Sequence, residues 1–220
     1  MSVNLAVVAP AVFGLTWVAA VSRRAPDGAL VAATRTVAGG AVAFAAAWWG
    51  YAVLDRYGLR ISWEDLTAGG SGSVVSAAAI GFVEESAKLI GIALASVGAR
   101  SGRGQVLRRI LGVSAVFASL ECASTLGDAG ATVILVRAAF APIAHAALAL
   151  PLGLALAGGH LSLRWALPAL GVAVLLHGAS DLALAIPSVG RLGYAVILSA
   201  PVVALHLRTR VLWAREARAA

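Results

Sequence analysis

Residues 74–98 read VVSAAAIGFVEESAKLIGIALASVG. The stretch is apolar at both ends, yet Glu84, Glu85 and Lys88 stand together in its middle. A run of about 20 apolar residues crosses the hydrocarbon core of a bilayer as a helix. Glu84 is ten residues past the start of this run. At about 1.5 Å per residue that is roughly 15 Å deep, close to the midplane. Each charge at a helix centre costs about 3 kcal/mol to insert. Such residues must face inward and pair. Lys88 follows Glu84 by four residues and Glu85 by three, so it can reach either carboxylate. Adjacent glutamates point about 100° apart on a helix. One can therefore face a central cavity while the other is held by Lys88.

Working outward, the same apolar texture covers the chain. Of its 220 residues 60% are hydrophobic and 12% charged. Soluble domains carry about a quarter charged residues. The expected fold is an all-α membrane protein, a polytopic bundle of about seven transmembrane helices in a single domain, 1–220. The spans are expected at about 3–21, 29–54, 74–98, 107–127, 132–157, 163–185 and 190–207. Turn chemistry separates them: Pro26-Asp27-Gly28, Gly69 to Ser73, Gly158-Gly159 and Pro187. Abundant Ala and Gly inside the spans suits close helix packing in lipid. The first span ends at Arg23-Arg24 and lacks a basic n-region, which reads as a retained span rather than a cleaved signal.

The net charge of +7 comes mostly from arginine in short loops. No basic run is interleaved with aromatics, so the expected partner is the lipid bilayer and not nucleic acid. On one side lie Arg23, Arg24, Arg100, Arg103, Arg108, Arg109, Arg164, Arg208, Arg210, Arg215 and Arg218; on the other are Arg56, Arg60 and Arg191. The arginine-rich side should be cytoplasmic. The expected location is the plasma (inner) membrane, with the N-terminus outside and the C-terminus inside. The 55–73 loop then lies outside, with Trp63 and Trp48-Trp49 at the interface. Cys122, the one cysteine, cannot form an internal disulfide.

Further ionisable residues break the later spans: Glu121, Arg137, His145, His177 and Asp181. With Glu84, Glu85 and Lys88 they place one polar cluster between the midplane and the outer half of the membrane, drawn from four consecutive spans. His177 and Asp181 are four apart and share a helix face; Arg137 and His145, eight apart, roughly share one. Arg35 is near the cytoplasmic edge and can snorkel there. A buried Glu beside a His can deprotonate water. A His and a short polar side chain on another helix can donate to a developing oxyanion. Peptide hydrolysis without metal or serine is within this inventory.

At these residues the chain resembles the PrsW family of intramembrane proteases, related to the CAAX-protease-like glutamic endopeptidases. The pieces are Glu84-Glu85-Ser86-Ala87-Lys88, Phe117 to Glu121, Arg137 with His145, and His177-Gly178-Ala179-Ser180-Asp181. They occur in the family's order over about residues 74–185. The resemblance implies that Glu84 and His145 activate water, and that His177 and Asp181 stabilise the oxyanion. Glu85, Lys88, Glu121 and Arg137 would support them. The family often has Asn where this chain has Asp181. The implied substrate is a membrane protein, as for relatives that cut anti-sigma factors spanning the membrane once.

No cofactor is expected, and no closely spaced ligand motif points to a metal. Two other classes use similar residues. A proton-coupled transporter employs midplane Glu, His and Arg, though neither repeat symmetry nor matched helix breaks are evident here. An exosortase-like cysteine transpeptidase would use Cys122, Arg137 and a His, and Glu121 beside the thiol opposes a thiolate.

Overall fold

The computed structural model describes residues 4–23, 25, 28–61, 63–97, 103–127, 129–156, 163–186, 190 and 192–203, with backbone alone for Trp63, Arg103 and Leu163. Pro26, Asp27, Gly158, Gly159, Pro187, Arg24, Arg100, Arg191, Arg208, Arg210, Arg215 and Arg218 lie outside the described residues.

Among the described residues all regular structure is helical. The elements are α1 (Leu5–Ser22), α2 (Ala29–Arg56), α3 (Trp63–Thr67), α4 (Ser71–Ser96), α5 (Arg103–Thr125), α6 (Ala131–Leu148), α7 (Leu150–Leu156) and α8 (Leu163–Ala185). A further apolar helix covers Leu192–Val203. The Asn4 side chain accepts from the backbone N–H of Ala6 at 3.0 Å and caps α1.

The distribution of polarity is inverted relative to a water-soluble bundle. Val12, Leu15, Leu30, Trp48, Trp49, Phe82, Phe140, Trp165 and Leu175 are exposed, while Glu84, Glu85, Lys88, His145 and His177 are buried. So many exposed large apolar side chains suit an apolar solvent. The chain is a membrane protein whose regular structure, among the described residues, is helical. Four helices among the described residues are long and apolar enough to cross a membrane: α1, α2, α6 and the Arg164–Ala185 part of α8.

About seven such helices are expected from the sequence, and the difference has physical causes. Helix α4 is 26 residues long, but Glu84, Glu85 and Lys88 lower its hydropathy. Helix α5, of 23 residues, opens with Arg103, Arg108 and Arg109 and carries Glu121. The described part of the last helix is short. The apolar run expected as one span over 132–157 is two helices, α6 and α7, parted at Ala149. Pro151 lacks the N–H that would bond back to residue 147 and disfavours helical backbone just before it. The 55–73 stretch, expected as a plain loop, holds α3. Its Leu66 is buried with Ala77 and Ala185 against α4 and α8, and Ser73 Oγ donates to the Asp65 carbonyl at 2.8 Å.

Helix α4 packs on both α2 and α8, and glycine permits both crossings. On one side a Cβ at Gly39 would come 2.6 Å from the Gly91 carbonyl oxygen. On the other, a Cβ at Gly81 would come 2.6 Å from the Val174 carbonyl oxygen, and one at Gly178 would come 2.9 Å from that of Ala77. Small residues let backbones touch where lipid supplies little drive for association.

Candidate functional site

The α4–α8 crossing brings His177 onto the two glutamates. Gly178 rests on α4 backbone, so the neighbouring imidazole reaches the next turns of that helix. His177 Nδ1 is 2.7 Å from Glu85 Oε1, a hydrogen bond in which the ring N–H donates to the carboxylate. Lys88 Nζ donates to the same oxygen at 2.6 Å. Glu85 and Lys88 are wholly buried. Glu85 is thus held by an ammonium and an imidazole on two helices, a charge-assisted arrangement that fixes both partners.

Glu84 is placed differently. Its Oε1 accepts from the Tyr51 hydroxyl of α2 at 2.9 Å. Its Oε2 is buried without a hydrogen-bond partner. Three groups surround that oxygen at longer range: His177 Nε2 at 3.6 Å, Lys88 Nζ at 3.7 Å and His145 Nδ1 at 3.8 Å. His145 Nδ1 is also buried and unpartnered. A buried polar atom without a partner costs free energy unless something fills the gap. Here two such atoms face each other across a space too wide for a direct bond.

His145 comes from α6, in the turn that follows the buried Pro142. Its Nε2 lies 3.0 Å from Glu121 Oε2 of α5, off the line of the ring N–H. Phe117, also on α5, packs against the His145 ring with centroids 5.5 Å apart and sits under Lys88 Nζ at 4.8 Å. The two imidazoles meet edge to face, 5.5 Å between centroids.

Exposure rises in one direction. The Lys88 and Glu85 side chains are sealed, whereas those of Asp181, Glu121 and Arg137 are 18%, 22% and 49% exposed. Asp181 Oδ2 lies 3.7 Å from His177 Nε2, and Arg137 reaches Glu121 Oε1 at 3.9 Å. The cluster therefore has a closed floor at Lys88 and a mouth framed by α5, α6 and α8. No family model matches the chain, and neither does any curated protein or solved structure. The PrsW resemblance rests on the motif residues alone.

All eight residues singled out in the sequence fall in this one cluster. Arg137 is its outermost member. One participant was not legible, Tyr51, which looks like any aromatic near a span end; Phe117 was read only as the first residue of the Phe117 to Glu121 piece, with no part assigned to its ring. Cys122, next to Glu121, is packed among Ala6, Ala9, Leu126, Ile134 and Ala138. An apolar pocket of that kind suits a packing residue.

Proposed function

We propose that the protein is an intramembrane endopeptidase of the glutamic type, cutting a peptide bond in or near a membrane-spanning segment of a substrate protein. The observation that carries this reading is the unpartnered Glu84 Oε2, buried and faced by His145 Nδ1 and His177 Nε2. A water between them gives a proton to Glu84 as its oxygen attacks the carbonyl carbon. That proton passes to the departing amine as the C–N bond breaks. Tyr51 steadies the carboxylate from behind. His177 and Asp181 flank the developing oxyanion, with Asp181 protonated when it donates.

Helices α4 and α5 cross the membrane together with the four more apolar ones, because their central charges are paired inside the bundle. With the helix beginning at Leu192 the count is seven. The N-terminus is outside the inner membrane and the C-terminus in the cytoplasm. The mouth at Glu121, Arg137 and Asp181 then opens outward, and the 55–73 segment covers the neighbouring ends of α4 and α8. Substrate is a membrane protein, such as an anti-sigma factor with one span. Its helix unwinds locally before attack, because helical backbone is internally bonded.

Glu84→Gln and His145→Ala are each expected to reduce cleavage by at least about 100-fold, the lower end of general-base contributions. Membrane insertion stays intact in both. The measurement is cleavage profiling of membrane proteins by mass spectrometry, comparing each variant with wild type. Near-wild-type cleavage by Glu84→Gln sinks the glutamic mechanism. A second reading, proton-coupled transport, draws on the graded path of ionisable groups from Glu84 to Arg137. Substrate-dependent proton flux in liposomes, with no peptide cleaved, would select it.

A further inference from the structure

His145 stands between two carboxylates, with one ring nitrogen toward each. Its Nδ1 is 3.8 Å from Glu84 Oε2, and its Nε2 is 3.0 Å from Glu121 Oε2. A neutral imidazole has one N–H and one lone pair, so it can donate to only one of them. Which nitrogen carries the proton decides what Glu84 faces. With the proton on Nδ1, the ring would donate toward Glu84 and occupy the oxygen that acts as base. With the proton on Nε2, His145 Nδ1 and Glu84 Oε2 are two acceptors that cannot bond to each other. A water molecule has a hydrogen for each of them, and its oxygen lone pairs stay free to attack.

The buried polar atoms favour the second state. Glu84 Oε2, His145 Nδ1 and Glu121 Oε2 are all buried without a hydrogen-bond partner. One proton on His145 Nε2 and one water in the gap would satisfy all three. Glu121 is also the nearer carboxylate, and it is held in place. The Ser124 and Thr125 hydroxyls both donate to its backbone carbonyl, at 2.8 and 2.9 Å, in the last turn of α5. Its Oε1 lies 3.9 Å from Arg137 Nη2, so the carboxylate meets α6 at two residues eight apart. Arg137 is half exposed, and such a pair adds little to stability by itself. The contact with His145 is the buried one. The imidazole is held as well, with Phe117 packed against it and His177 edge to face. A small rotation brings its N–H onto the Glu121 oxygen, the kind of tightening that catalytic hydrogen bonds undergo when substrate binds.

We propose that Glu121 is a positioning residue, which keeps the proton of His145 on Nε2 so that His145 Nδ1 and Glu84 Oε2 together accept the two hydrogens of the attacking water. The inference rests on the glutamic hydrolase reading and divides the work within it. Glu84 remains the base and takes the proton. His145 orients the water through a lone pair and stays neutral. Glu121 touches neither water nor substrate and acts through the imidazole alone, as the orienting carboxylate of a catalytic histidine does elsewhere.

The test is nitrogen-15 NMR of full-length, detergent-solubilised protein labelled in its histidine rings, recorded without substrate. The signals of His145 are those missing from His145→Ala. Wild type is expected to show Nε2 protonated and Nδ1 bare. Glu121→Gln is nearly isosteric and can turn an amide N–H toward Nε2. It is expected to populate the Nδ1–H tautomer and to lower kcat at least about 100-fold, as when a catalytic histidine is held in the wrong tautomer. KM and melting should stay close to wild type, whereas a purely structural Glu121 would move melting and leave the tautomer alone. A wild-type ring with Nδ1–H, a doubly protonated wild-type ring, or a Glu121→Gln variant with wild-type kcat overturns the proposal. The wild-type spectrum does not depend on how Glu121→Gln folds. Because it is read without substrate, the two ideas separate. Cleavage that needs Glu84 but not Glu121 leaves the hydrolase reading standing and removes the role of Glu121. An Nε2–H ring that switches in Glu121→Gln, in a protein that cleaves nothing, upholds the hold of Glu121 on His145 and removes the hydrolase reading.

Discussion

Helix α4 crosses two neighbours by the same device and to different ends. Toward α2 the contact is Gly39 on Gly91; toward α8 it is Gly81 and Gly178 against backbone. Both are backbone-to-backbone approaches that a single methyl group would block. The α2 crossing lies beside aliphatic packing, with Ala43, Ile92, Ala95 and Val113 in one apolar cluster. The α8 crossing has His177 next to its glycine, one hydrogen bond from Glu85. Close approach is thus a general way to hold this bundle together, and at one of its two uses it also sets a distance between ionisable groups.

That difference can be broken deliberately. Gly178→Val is expected to have the larger effect. The new Cβ meets the Ala77 carbonyl at 2.9 Å, and backbone cannot swing away. The helices part, the His177–Glu85 bond is lost, and cleavage falls by at least about 100-fold, in line with loss of a positioned proton-transfer group. Thermal stability in detergent falls as well, by about 1–3 kcal/mol for an overpacked contact. Measuring both on one preparation checks the claim; a variant that melts early yet cleaves normally would refute it.

Gly91→Val should give a similar loss of stability, since its Cβ would meet Gly39 backbone and, at 2.9 Å, Ala43 Cβ. Cleavage per folded molecule should fall less than in Gly178→Val, because α2 reaches the ion cluster through the Tyr51 hydroxyl on Glu84 rather than through a histidine. Activity normalised to the folded fraction is the measurement. If Gly91→Val silences the folded protein too, the two crossings are not functionally distinct.

Tyr51→Phe is the smallest perturbation and the sharpest. It removes the hydrogen bond to Glu84 Oε1 while keeping the ring. A bond to a charged group contributes about 1.5–3 kcal/mol, so cleavage should fall roughly 10- to 100-fold with little change in melting. An unchanged rate would show that α2 contributes packing alone, at Tyr51 as at Gly39.

The sequence made the helices legible because lipid imposes a length. The run expected at 29–54 is helix Ala29–Arg56, and 163–185 is Leu163–Ala185. The ionisable cluster was legible for a related reason: Glu84, Glu85, Lys88, His145 and His177 are costly inside apolar runs, so each declares itself. Tyr51 was hidden because a tyrosine is at home near any membrane interface. Only the α2–α4 crossing puts its hydroxyl on Glu84. The division of labour between the glutamates was open in the sequence, which showed them about 100° apart without saying which one His177 would reach. The break at Ala149 had a signal in Pro151 that the unbroken hydrophobicity of 132–157 concealed. The expected span count exceeded the four apolar helices found among the described residues, because α4 and α5 count as spans on their length while their central charges lower their hydropathy.

The ring of Phe117 lies under the Lys88 ammonium and also packs against the His145 imidazole. It exchanges no proton and carries no net charge. Its negative face attracts the ammonium, and its body packs beside the imidazole of α6. A leucine there would fill similar space without attracting the ammonium, leaving Lys88 freer to wander from Glu85. The spacing of the charged groups is therefore set in part by a side chain that takes no part in their chemistry.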